Sequence, residues 1–329
     1  MTWLVTGGAG YIGAHVVRAL TAAGADVVVL DDLSTGRPER VGGAPLVTGS
    51  VLDAEIVRAT IREHHVDGVV HIAAKKVVPE SVEQPLLYYR ENVEGLRGLL
   101  AVMVEEGVGR LVFSSSAAVY GMPDVDLVTE ETPCHPMNPY GESKLVGEWL
   151  VAGAVRAHGL RAVSLRYFNV AGAAEPELGD DFVLNLVPMT FERLTAGEAP
   201  VVFGSDYPTP DGTCVRDFVH VSDVASAHVA ASRHLADQDG HQVLNIGRGE
   251  GYSVLDVVRL AGQVAGVTVE PRLTDRRAGD PARVVASADR IEDVLGWTAS
   301  HDLREMIASA WAGWCLRHPE ARELAGHGS

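Results

Sequence analysis

Lysine is scarce in this chain: of its 27 Lys plus Arg residues, only Lys75, Lys76 and Lys144 are lysines. Arginine is therefore the default cation, and a surviving lysine marks a place where a compact ammonium does what a planar guanidinium cannot. Positive charge as a whole is short. Against 44 Asp plus Glu the formal net charge is −17, which excludes a general nucleic-acid or anionic-membrane binder, since those use basic surfaces. Any anionic ligand must meet a locally positive pocket. Cys134, Cys214 and Cys315 are the only cysteines, spaced neither as a disulfide framework nor as a metal site, which points to a reducing cytoplasm. The 13 His residues form no H-E-x-x-H pattern, and no metal is expected. No apolar run approaches the ~18 residues of a membrane span, and the N-terminus enters a strand without a basic region, apolar core and cleavage site. The expectation is a soluble protein. Internal repeats and low-complexity stretches are also missing.

What is present concentrates in Asn138-Pro139-Tyr140-Gly141-Glu142-Ser143-Lys144. Asn138 suits a helix N-cap and Pro139 the first helical position. Tyr140 and Lys144 then stack on one helix face, where an ammonium and the positive helix end favour phenolate over phenol. A tyrosine tuned down in this way can take a proton from an alcohol near neutral pH.

In chain order, Thr2 to Thr6 is an apolar strand that feeds Gly7-Gly8-Ala9-Gly10-Tyr11-Ile12-Gly13 and a helix through Ala23. Gly7 permits the tight turn, Gly10 lets the backbone approach a pyrophosphate, and Gly13 lets helix and strand pack closely. A second strand, Asp26 to Leu30, ends in Asp31-Asp32, where an acid can hold ribose hydroxyls. Asp31 repels a 2′-phosphate, which favours NAD over NADP, although Arg37 and Arg40 lie nearby. Further strands are expected at Leu46 to Thr48, Gly68 to Ile72, Arg110 to Phe113 and Arg161 to Tyr167, with helices from Asp53 to His64 and from Gln84 to Glu106. Strand ends carry Ala73-Ala74-Lys75-Lys76 and Ser114-Ser115-Ser116, as a ligand-lining edge does. The alternation predicts an α/β fold with a doubly wound parallel sheet of the Rossmann type.

Regular alternation breaks near Glu175. Residues 1–175 read as a dinucleotide-binding domain, with a return strand expected within 219–248, and 176–329 as a smaller α/β lobe. Asn169 to Ala173 reads as a strand-end loop, Asp181 to Ala196 as a helix, Ser222 to Leu235, Ser253 to Ala265 and Asp302 to Arg317 as further helices, and Glu320 to Ser329 as a frayed tail.

With these parts in place, the sequence resembles the extended short-chain dehydrogenase/reductase superfamily and, within it, the UDP-glucose/UDP-galactose 4-epimerases. The motifs LVTGGAGYIG, FSSSAAVYG, NPYGESK, LRYFNVAGA, FGSDYPTPDGTCVRDFVHVSDVA and RRAGDPA spread the resemblance over nearly the whole chain. It implies an isomerase in which Tyr140 is the base, Lys144 its partner and Ser116 its hydroxyl helper. By the same resemblance Gly7, Gly10, Tyr11, Ile12, Gly13, Asp31, Asp32, Val51, Ala73, Lys76, Asn92, Ser114 and Phe168 form an NAD set with Tyr140 and Lys144. Asn169, Asn185, Phe203, Arg216, Arg277 and Asp280, with Ser116, form a UDP-sugar set. The side chains suit these roles: Arg216 and Arg277 can neutralise a diphosphate, Phe203 can contact a uracil face, and Asp280 can accept from a ribose hydroxyl. One position departs from the pattern, for Ser50 stands where the family often has an acid that contacts the adenine amine.

Two other activities use parts of this pattern. A nucleotide-sugar 4,6-dehydratase shares the first oxidation but carries an acid and base where this chain has Ala117-Ala118. A non-catalytic NAD-sensing regulator has no need of both Tyr140 and Lys144. The resemblance also implies a homodimer built on the helices from Gln84 to Glu106 and Tyr140 to His158. It places Val284 beside the sugar, where a small residue admits an N-acetyl group and a bulky one excludes it.

Overall fold

The structure, a computed structural model, describes residues 1–277 and 279–326. Strand and helix alternate from the start: β1 (Thr2–Thr6), α1 (Tyr11–Ala22), β2 (Asp26–Asp31), β3 (Leu46–Thr48), α2 (Ala54–Glu63) and β4 (Gly68–His71). Asp53 ends the loop before α2 by accepting from the backbone N–H groups of Glu55 and Ile56, a helix start its side chain dictates. The long helical stretch that follows is broken into α3 (Val78–Glu83), α4 (Pro85–Tyr88), a π-helical turn (Tyr89–Glu94) and α5 (Gly95–Glu105). Then come β5 (Arg110–Ser116), α6 (Pro139–His158), β6 (Arg161–Tyr167) and β7 (Asn169–Ala171).

The remaining elements are α7 (Leu186–Thr195), β8 (Val201–Phe203), β9 (Val215–His220), α8 (Val221–His234), β10 (His241–Ile246), β11 (Gly251–Ser253), α9 (Val254–Ala265), β12 (Arg272–Thr274), β13 (Arg283–Val284), α10 (Asp289–Leu295) and α11 (Leu303–Arg317).

Seven parallel strands form the main sheet in the order β10-β6-β5-β4-β1-β2-β3. One apolar layer packs α1 and α8 against it, through residues such as Val16, Val17, Leu20, Val224 and Ala227. The other packs α2, α5 and α6 through Val57, Leu96, Leu99, Met103 and Val151. Because strand order reverses between β1 and β4, the carboxyl ends of these strands diverge and open a crevice. A third apolar cluster joins α7, α9 and α11 through Phe191, Val257, Ala261, Met306 and Trp314. Beside it β9 pairs with β7, β11 and β13, and β8 pairs with β12.

Three local expectations change. The helix expected from Asp181 starts only at Leu186, because Asp180 turns the chain by accepting from Phe182 N at 3.1 Å and Asn185 Nδ2 at 2.8 Å. The loop after β6 contains a strand, β7, held by its pairing with β9. The segment expected to fray forms a 3-10 turn over Pro319–Gly326, with Ala321 fully buried. Ala278 and residues 327–329 lie outside the described residues.

Candidate active site

The glycine turn after β1 forms one wall of a cavity of about 290 Å³. Gly7 sits at φ +73°, a conformation L side chains avoid, and its N–H donates to Leu30 O at 2.9 Å. At Gly13 a Cβ would lie 2.0 Å from Gly7 O, so helix and turn can close up only around glycine. Gly10, Tyr11 and Ile12 complete the wall, with Val51, Ala73 and Lys76 opposite. Asp31 and Asp32 line one end of the cavity, and Tyr140 and Lys144 also line it.

Asp31 accepts from Ala9 N and Leu33 N, each at 2.9 Å. Burial pushes its carboxyl up, and these two N–H groups hold it down. Arg37 and Arg40, which on sequence grounds were open to a 2′-phosphate, are engaged elsewhere. Arg37 pairs with Asp181, while Arg40 Nη2 lies 3.2 Å from Asp181 and donates to Gly179 O at 2.9 Å. Ser50 lines the cavity and uses its hydroxyl to accept from Leu52 N.

Helix α6 begins as its sequence dictates, with Asn138 Oδ1 accepting from Gly141 N at 3.0 Å and Pro139 in the first turn. Tyr140 and Lys144 are both buried, one turn apart. Their relation differs from the expected one. Lys144 Nζ donates to the Ser114 carbonyl at 2.8 Å and stands 5.2 Å from the Phe113 ring centroid. Burial pushes the Tyr140 phenol up rather than down, and the group that pulls it back is the Ser116 hydroxyl, not Lys144. Burial also lowers Lys144 to about 8, against an upward pull from Glu148. In the protein by itself, desolvation outweighs the Ser116 hydrogen bond and favours the phenol.

A second cavity, of about 330 Å³, meets the first at Tyr11, Ile12, Lys76, Tyr140 and Tyr167. Ser116, Phe168, Asn169 and Asn185 line it. Phe203, Arg216, Arg277 and Asp280 gather in a separate group: the Arg277 guanidinium lies 3.8 Å from the Phe203 ring centroid, and Arg216 Nη2 lies 3.5 Å from Asp280. Val284 pairs with Arg216 between β13 and β9, and its side chain packs with Phe168 and Ala117, which line the second cavity. The neighbouring Arg283 turns away and donates to Asp126 O.

Two residues of the expected cofactor set stand behind the wall. Asn92 Oδ1 accepts from Lys75 N, and its Nδ2 donates to Lys75 O and Ser143 Oγ, which fastens the β4 strand end to α6. Ser114 is fully buried, with its hydroxyl 2.9 Å from His228 Nε2. Sequence reasoning missed Phe182 and Tyr167, which line the first cavity. It also missed Glu148 and Arg166, a buried ion pair beneath the site. Only the last pair left a trace in the sequence, a charge inside an apolar strand and another two turns after Tyr140.

Residues 3–247 match the model of the NAD dependent epimerase/dehydratase family. The UDP-glucose 4-epimerase of Azospirillum brasilense is 47% identical over 316 residues, 94% of this chain and 91% of that one. A UDP-glucose-4-epimerase from Stenotrophomonas maltophila, solved with bound NAD and formylated UDP-arabinopyranose, superposes with a TM-score of 0.92 at 40% identity, covering 97% of this chain and 99% of that one. The UDP-Glc/GlcNAc 4-epimerase of Campylobacter jejuni superposes with a TM-score of 0.85 at 36% identity, covering 95% and 99%. Strand order, glycine turn and near full-length likeness agree, and the chain belongs to the NAD dependent epimerase/dehydratase family.

Proposed function

We propose that this protein is an NAD-dependent UDP-hexose 4-epimerase that interconverts UDP-glucose and UDP-galactose through a transient 4-keto sugar. The observation that carries this reading is the meeting of two cavities at Tyr140. One has the glycine cradle and terminal acid that suit a dinucleotide. The other is lined by Ser116, Asn169 and Asn185 and leaves room for a sugar. Near full-length likeness to UDP-glucose 4-epimerases supports the substrate class.

When bound in the cavity lined by Gly7, Gly10, Gly13, Asp31, Tyr140 and Lys144, NAD would supply a hydride acceptor and a positive charge. A positive charge in that site would oppose the desolvation that holds Tyr140 protonated, alongside the Ser116 hydrogen bond. Tyr140 Oη then takes the proton of the sugar 4-hydroxyl, while Ser116 Oγ hydrogen-bonds the same oxygen. The 4-keto sugar turns over, and Tyr140 Oη gives the proton back to the 4-oxygen. The hydride that C4 gave up to the cofactor would return to the opposite face of C4, which balances proton and hydride and inverts the centre. Arg216 and Arg277 hold the diphosphate, Phe203 the uracil and Asp280 the ribose. Ala117 and Ala118 offer neither the acid nor the base that elimination to a 4-keto-6-deoxy sugar needs.

The same reading makes the protein a cytoplasmic homodimer. Trp149 on α6 and Leu86 on α4 are 62% and 81% exposed, apolar side chains on adjacent helices that a second copy would cover. Three free cysteines suit a reducing compartment. Among the described residues no helix is long and apolar enough to cross a membrane, and no group of His, Cys, Asp or Glu is placed to hold a metal ion.

The test is conversion of UDP-galactose to UDP-glucose by the wild type and by Tyr140→Phe, with bound NAD measured by absorbance. Loss of the general base should cost about 10² to 10⁴ in kcat while NAD stays bound. Near wild-type turnover in Tyr140→Phe would sink the assignment.

A further inference from the structure

Glu148 follows Tyr140 and Lys144 on the same stripe of α6, and all three side chains are buried. A carboxylate in such a place needs partners, and two residues supply it with three hydrogen bonds. Ser115 Oγ donates to Oε1 at 2.5 Å, Arg166 Nε to Oε1 at 2.8 Å, and Arg166 Nη2 to Oε2 at 2.6 Å. Arg166 is held in turn by Tyr120, whose hydroxyl accepts from Nη1 at 2.8 Å and donates to Asn245 Oδ1 at 2.7 Å. The three serines that end β5 thereby divide their work along α6. Ser116 acts on Tyr140, the Ser114 carbonyl accepts from Lys144, and the Ser115 hydroxyl donates to Glu148.

We propose that Glu148, clamped by Arg166 and Ser115, is a positioning residue for the Tyr140–Lys144 pair, serving as the buried counter-charge of Lys144 and fixing the seat of α6 on β5. The proposal rests on the epimerase reading for the use of that pair, and on geometry alone for the clamp. Lys144 sits in surroundings that favour its neutral form, and Glu148 is the charge that opposes them. The other groups facing it supply little charge. His71 on β4 is brought down to about 3 by burial and is neutral, Tyr140 and Tyr167 are phenols raised by burial, and Phe113 presents a ring. Arg166, bound to both oxygens of the carboxylate, is not among the charges acting on Lys144. Among the described residues, the ammonium without Glu148 keeps its hydrogen bond to the Ser114 carbonyl and no opposite charge.

A chain with three lysines allows a direct test. Lysine labelled at the side-chain nitrogen gives three signals by nuclear magnetic resonance, and Lys144→Arg identifies the one to follow. The Lys144 midpoint is titrated in the wild type and in Glu148→Gln, whose amide oxygen can still accept from Ser115. The expected result is a midpoint lower by about one pH unit, the usual size of a single buried neighbour's effect. The alkaline limb of kcat should move with it while KM holds. Glu148→Asp, which keeps the charge, should restore most of the midpoint. If Glu148→Gln does not fold, Glu148→Gln with Arg166→Gln removes the stranded cation as well, and the same downward shift is expected. An unmoved Lys144 midpoint in the folded variant overturns the proposal. Because the titration needs no substrate, it stands apart from any failure of the epimerase assignment, which the product assay reads separately.

Discussion

Val284→Tyr tests the idea that this position gates the sugar's N-acetyl group. Val284 is 9% exposed and belongs to a cluster with Val119, Tyr120, Val128, Leu145, Phe168 and Ala286, all of them buried. Val284 does not itself line the second cavity, but it shares its apolar cluster with Phe168 and Ala117, which do, so a tyrosine ring that the buried neighbours cannot accommodate is expected to push toward that cavity. There it occupies space an acetamido group needs. Overfilling a packed site costs about 1 to 3 kcal/mol, a factor of roughly 5 to 150 at 1.4 kcal/mol per tenfold. We expect the wild type to accept UDP-N-acetylgalactosamine as well as UDP-galactose, and Val284→Tyr to lose that factor in kcat/KM for the N-acetylated sugar alone. The assay is product formation from each substrate, with thermal melting to show that the ring has not been forced into the core. Wild-type refusal of the N-acetylated sugar, or an unchanged ratio in a folded Val284→Tyr, refutes the reasoning.

Three further outcomes are expected. Gly13→Ala forces a Cβ to within 2.0 Å of Gly7 O; the backbone must yield by about 1 to 3 kcal/mol, and the purified variant should carry far less nucleotide, which absorbance reads directly. Turnover should fall as pH rises through about 8, since Lys144, lowered by burial, is an ammonium below that value and neutral above it; a profile that stays flat well into the alkaline range contradicts this. Trp149→Glu sets a charge on an exposed apolar face, and light scattering should show the mass of one chain where the wild type shows two.

Much of the cofactor side was legible in the sequence because its determinants are local. A strand, a glycine turn and a helix lie within a few consecutive residues, and Asn138, Pro139, Tyr140 and Lys144 fall on one helix whose cap is written in its first residue. Periodicity and backbone permissiveness act over such distances. Where expectation failed, a long-range contact was responsible: β7 exists through its pairing with β9, and α7 starts late because Asp180 holds Phe182 and Asn185.

By itself the sequence determined the α/β alternation, the glycine cradle with its terminal acid, and the spacing of Tyr140 and Lys144, all of which follow from short-range geometry. Tertiary structure alone decided what surrounds them. It set Arg37 and Arg40 on Asp181, closed Asn92 onto Lys75 and Ser143, bound Arg283 to the Asp126 carbonyl, placed Val284 in one apolar cluster with Phe168, and buried Glu148 against Arg166. It also reversed the expected direction for Tyr140, because the cost of desolvating a charge depends on everything packed around it and not on the neighbour one helical turn away.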